Sequence, residues 1–134
     1  MMVSLKYSAT AMVVALNISA ALILGAPAHA AEPTSTAQAN VGLWVVLDAK
    51  AGKEEDVAQF LRGGRAIVQD EPATIAWYAV RLSKTQFAIF DTFPDEAGRS
   101  AHLAGKVAAA LMAKAPELLD HAPTISKIDI MATK

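Results

Sequence analysis

The sequence predicts an α+β domain of ferredoxin-like order, β-α-β-β-α-β, in which a four-stranded antiparallel sheet carries two helices on one face. Three observations lead there. Four short runs rich in Val, Ile, Leu and aromatic residues are separated by turn signals. Two longer runs with helical periodicity follow the first and third of them. The first three strand runs are also apolar at odd and even positions alike, which a sheet wetted on one side does not require.

The first thirty residues stand outside that domain. Lys6 gives a positive start, Ala11–Gly25 is an apolar run, and Ala28-His29-Ala30 is the small-x-small pattern of a signal-peptidase site. At 1.5 Å per residue such a run spans about 22 Å, short of the roughly 30 Å hydrocarbon core. The expectation is therefore a signal peptide over residues 1–30, cut after Ala30. The mature protein is then secreted or periplasmic, with no membrane attachment. Residues 31–40 are polar and rich in Pro, Ser and Thr, and read as a flexible leader. Residues 41–134 form the folded domain.

Val41–Asp48 (VGLWVVLD) reads as the first strand, and Ala49–Gly52 as a turn. Lys53-Glu54-Glu55-Asp56 opens the first helix with acids where the macrodipole favours them. Its inner stripe is Val57, Phe60, Leu61, Gly64 and Val68. Gly63-Gly64 interrupts the stripe, either as a weak or kinked helix middle or as room for a ligand or a close backbone approach. Pro72 ends this helix. Ala73–Leu82 and Thr85–Phe93 form a hairpin whose register depends on loop length. A two-residue loop sets Trp77 opposite Phe90; a three-residue loop sets Trp77 opposite Asp91 and Arg81 opposite Phe87. A second helix runs from Asp95 to about Ala115 on a stripe of small residues, with Gly105 a candidate kink. Pro116–Asp120 reads as an extra turn and Pro123–Ala132 as the fourth strand.

Suppose about six apolar side chains on the helix-free face stayed wet. At roughly 1.5–3 kcal/mol each, the forgone burial is on the order of 10 kcal/mol, comparable with a domain's whole net stability. A second copy packed sheet to sheet covers them, so a homodimer is expected.

Inventory removes several chemistries. Lys6 is the only charge in the first thirty residues, so eleven basic and thirteen acidic residues remain, without a basic stripe. Nothing favours nucleic acid. There is no cysteine, and His102 and His121 with scattered carboxylates show no metal-ligand spacing. Neither a phosphate-binding Gly-rich loop nor a Gly-x-Ser-x-Gly elbow is present.

The stretch from Phe90 to Leu103 (FDTFPDEAGRSAHL) has an aromatic residue, a short acidic link, Glu96-Ala97, and then His102-Leu103. It resembles the strand–helix signature of the antibiotic biosynthesis monooxygenase family, in particular small exported members described as quinol monooxygenases. The resemblance implies a dimeric α+β barrel and cofactor-independent oxygenation of a small aromatic or quinol substrate by dioxygen. No cofactor and no metal are then needed. His102 becomes the candidate base, with an ordinary pKa near 6.5. Arg81 is a candidate to stabilise a phenolate or peroxide anion, and Asp91 to orient His102 or pair with Arg81. Trp77, Tyr78, Phe87, Phe90 and Phe93 would line the pocket or fill the core. The alternatives are a dimeric binding protein for a small hydrophobic ligand and, third, haem binding. The first strand lacks the internal asparagine of haem-degrading relatives.

Overall fold

The computed structural model describes residues 37–134. The signal-peptide expectation and residues 31–36 lie outside the described residues. Ala39 and Asn40, the end of the stretch read as a leader, belong to the fold. Ala39 is buried, the Asn40 N–H donates to the Phe93 carbonyl at 3.0 Å, and its carbonyl accepts from Ile130 at 2.9 Å.

The elements are β1 (Val41–Asp48), α1 (Glu54–Val68), β2 (Ala76–Arg81), β3 (Gln86–Phe93), α2 (Glu96–Leu103), α3 (Lys106–Leu118) and β4 (Thr124–Asp129). The strands form one antiparallel sheet in the order β2-β3-β1-β4, the ferredoxin-like arrangement. Leu43, Val45 and Leu47 of β1 and Phe87, Ile89 and Phe93 of β3 alternate onto the helix-covered face. There they meet Val57, Ala58 and Leu61 of α1 and Leu111, Ala115 and Leu118 of α3.

Two differences from the sequence expectation bear on the site. The second helical run is not one helix. It stops at Leu103, and α3 starts afresh at Lys106 with Gly105 as an extended N-cap. A Cβ on Gly105 would stand 2.7 Å from Glu71 Oε1 and 3.0 Å from the His102 carbonyl, so the break is packed as glycine. The sheet therefore carries three helices rather than two. Further on, Pro116 does not begin a separate turn, because α3 runs through it to Leu118.

The hairpin takes the three-residue loop. Trp77 pairs with Asp91 and Arg81 with Phe87. Ser83 Oγ accepts from the N–H groups of Thr85 (3.3 Å) and Gln86 (3.1 Å), and these bonds close the turn. Register fixes faces here, since a one-residue slip exchanges every side chain between the two sides of the sheet.

On the face without helices, Trp44 and Tyr78 each lie 6.3 Å from Phe90, ring centre to ring centre. Tyr78 is 57% exposed and Val80 37% in the single chain. Among the described residues, nothing covers this apolar patch.

Candidate functional site

The site grows from Asp95, which caps α2 by accepting the Gly98 N–H at 2.9 Å. One turn on, the buried Arg99 donates to the carbonyls of Gly42 and Ile128, each at 3.1 Å, and so fastens α2 to β1 and β4. Arg99 also pairs with Glu96, which accepts from Lys127 at 2.7 Å as well. Lys127, followed by Arg99, brings the Glu96 carboxyl down to about 2. With α2 fixed in this way, His102 in its last turn is directed at the middle of β3.

His102 is 7% exposed and sits between two carboxylates. Its Nδ1 lies 2.6 Å from Glu71 Oε2, and its Nε2 lies 3.0 Å from Asp91 Oδ2. The first contact is a hydrogen bond. The second is an ion-pair contact without hydrogen-bond alignment, so both Asp91 oxygens keep unused hydrogen-bonding capacity. Thr74 Oγ1 donates to Glu71 Oε2 at 3.0 Å and steadies that carboxylate. The Phe93 ring packs against the imidazole at 5.2 Å. Burial opposes a charged imidazole, but Asp91 and then Glu71 outweigh it, and the His102 pKa is raised above its ordinary value. Each ring nitrogen thus faces a carboxylate oxygen.

Beside this group is a cavity of about 90 Å³ beneath the sheet. Its walls are almost wholly apolar, among them Leu43, Ile89, Leu111 and Trp77, and its polar members are Asp91 and His102. Asp91 is 1% exposed. Asp91 Oδ1 and Trp77 Nε1 are both buried without a hydrogen-bond partner, and the two residues face each other across the hairpin. An orphan acceptor and an orphan donor on adjacent strands suit a group that both donates and accepts: a hydroxyl. The indole reaches the cavity because Gly64 lets it. A Cβ there would meet Trp77 Cη2 at 3.3 Å. The space left at Gly64 is taken by a side chain, the Trp77 indole, rather than by a ligand or by backbone, whereas Gly63 faces open space.

The structure thus brings together Trp77, Asp91, Phe93 and His102 from the candidate set. Tyr78 and Phe90 lie on the opposite face of the sheet, stacked on each other, and cannot wall this cavity. Arg81 and Phe87 share the helix face but stand away from His102. Arg81 donates to Glu55 at 2.6 Å and rests over the Phe87 ring at 4.8 Å. Asp91 consequently pairs with His102 and not with Arg81. Glu71 escaped the sequence reading. It sits beside Pro72, a helix-ending signal, and its bond to His102 crosses thirty-one positions of chain. Among the described residues no group of three potential ligands could hold a metal ion, and no helix is long and apolar enough to cross a membrane.

No family profile matches the chain, and none of the curated proteins does. Solved structures do. A protein of unknown function from Nitrosomonas europaea, NE2512, is 43% identical over 73% of this chain and 95% of its own, with a TM-score of 0.71. A Caulobacter crescentus protein provisionally named an antibiotic biosynthesis monooxygenase superposes with a TM-score of 0.60 at 18% identity, over 72% of this chain and 93% of its own. A second Nitrosomonas europaea protein with the same provisional name gives 0.61 at 12% identity, over 69% and 99%.

Proposed function

Because the chain belongs to one family with NE2512, on the fold shared by proteins provisionally named antibiotic biosynthesis monooxygenases, we propose that it oxygenates a small quinol or phenol without a cofactor. The observation that carries the reading is Asp91, a buried carboxylate with a free oxygen at the wall of an apolar cavity. A hydroxyl bound there donates to Asp91 and accepts from Trp77 Nε1. Asp91 takes the proton, as the general base. His102, whose ring nitrogens face Asp91 and Glu71, has its pKa raised by them, so its charged form is favoured beside the buried carboxylate. The resulting anion is electron-rich and passes one electron to dioxygen. Recombination forms a carbon–oxygen bond, and loss of water from the hydroperoxide leaves a carbonyl. In sum, a quinol and dioxygen give a hydroxyquinone and water. The protein contributes a base, an oriented hydroxyl and a dry cavity.

Size narrows the substrate. Pockets for drug-sized ligands run to about 300–1,000 Å³, and a cavity of roughly 150 Å³ takes up benzene. At about 90 Å³ this one admits the hydroxyl-bearing part of a single ring, with some outward movement of its wall, where Met112 is 52% exposed. Tricyclic anthrones and a porphyrin are too large. The homodimer through the bare sheet face and the exported location belong to the same proposal; the apolar patch and the Ala28-His29-Ala30 pattern support them.

The test is dioxygen uptake by metal-free protein with a panel of single-ring quinols. We expect uptake with at least one, reduced by about 10²-fold or more in Asp91→Asn, the scale of a lost general base. No uptake across the panel, or an undiminished Asp91→Asn, overturns the reading. A second reading, a non-catalytic binding protein, is favoured by the occupation of both His102 nitrogens. It requires ligand-induced thermal stabilisation without oxygen consumption.

A further inference from the structure

Outside the cavity, between α1 and the edge strand β2, lies a groove of about 380 Å³. Arg62, Arg65 and Arg81 line it, and Trp77, Leu61 and Phe87 form its apolar part. Trp77 and Leu61 also wall the inner cavity, so the indole is the partition between the two spaces. The three arginines are not equivalent. Arg81 is engaged by Glu55 at 2.6 Å. Arg62 and Arg65, three residues apart on one helix face, are exposed and have no acid partner among the described residues. The inner cavity is too small for a substituted ring, and Trp77 is a wall it shares with the groove, so the groove lies next to any ligand whose hydroxyl reaches Asp91.

We propose that the groove is an anion subsite and that the ligand is a single-ring phenol bearing an acidic group, its hydroxyl at Asp91 and Trp77 and its carboxylate on Arg62 and Arg65. The inference rests on the hydroxyl site described above and adds the ligand's charge. Guanidinium groups pair with carboxylates through parallel N–H donors, whereas a neutral amide of the same shape offers a single acceptor oxygen and no opposite charge. The protein's overall charge is slightly negative, so attraction of an anion has to be local to this groove.

The experiment is anaerobic calorimetric titration of the full chain with 4-hydroxybenzoate and with its neutral isostere 4-hydroxybenzamide. We expect the carboxylate to bind about tenfold more tightly at low salt, the difference shrinking as salt screens it. Arg62→Gln/Arg65→Gln should bring the carboxylate down to the amide's affinity and leave the amide unchanged. Both positions are exposed, and circular dichroism verifies that the double variant is folded. Equal affinities in the wild type, a preference that survives the double substitution, or no binding of either compound overturns the proposal. Because no oxygen is present, the outcome is separate from turnover. If the binding pattern holds and oxygen uptake fails, the site binds phenolic acids without oxidising them. If uptake holds and the two ligands bind alike, only the anion subsite falls.

Discussion

Gly63 and Gly64 offer a matched pair of substitutions whose outcomes should diverge. Both lie inside α1, and replacing glycine by alanine in a helix interior gains about 1 kcal/mol through propensity and a less flexible unfolded chain. At Gly63 a new Cβ meets nothing within 4 Å, so Gly63→Ala should keep the whole gain. For a domain of this size that is a rise in Tm of about 4–8 °C. At Gly64 the Cβ would stand 3.3 Å from Trp77 Cη2, 3.4 Å from Cζ2 and 3.7 Å from Val107 Cγ2. The indole has to give by a few tenths of an ångström, and overpacking of this kind costs about 1–3 kcal/mol. The net for Gly64→Ala is therefore between about zero and a loss of 2 kcal/mol. Thermal and urea denaturation of the two variants measures the difference, and a double-mutant cycle with Trp77→Leu identifies its source. With the indole removed, Gly64→Ala should recover the gain seen at Gly63. If Gly64→Ala stabilises the intact protein as much as Gly63→Ala does, the indole does not rest on that helix, and the partition between cavity and groove is wrong.

Two further predictions concern charge and assembly. Because the pKa of His102 is raised on folding, the stability it contributes is complete below the unfolded value near 6.5 and is lost as pH rises through the folded value. NMR titration of His102 should find its midpoint above the ordinary value, lowered in both Asp91→Asn and Glu71→Gln; an unchanged midpoint in either removes that carboxylate from the pairing. On the bare sheet face, sedimentation should find a dimer at micromolar concentration, and Phe90→Lys should shift it to monomer without unfolding it. A wild-type monomer at that concentration would leave the apolar face unexplained.

Much of the fold was legible because its determinants are local. The near-continuous apolar run Val41–Asp48, the acids at Glu54–Asp56, Pro72 and the helix start at Asp95 each announce an element within a few residues. The breaks that mattered were harder. Gly105 looks like any tolerated helical glycine until Glu71, from another part of the chain, occupies the space a side chain would need. The hairpin register had two solutions in the sequence, and the Ser83 bonds that select one involve only the turn. That choice decides the site, since it places Trp77 and Asp91 on the helix face and sends Tyr78 and Phe90 to the other. Asp91 could be singled out as an acid flanked by apolar positions, and His102 as the histidine of the second helical run. Glu71 could not, because an acid beside a helix-ending proline carries no local sign of its partner.

The interruption between α2 and α3 separates two mechanical roles. Everything that fixes the imidazole lies on the earlier side: the Asp95 cap, the Arg99 bonds to Gly42 and Ile128, and the contacts to Asp91 and Glu71. The later helix supplies Val107, Ala108, Leu111 and Met112 to the cavity wall and holds none of those anchors. Substitutions at Ala108 or Met112 therefore reshape the chamber without touching the contacts that aim the imidazole, so the size of the guest and the placing of the titratable groups are set by separate stretches of chain.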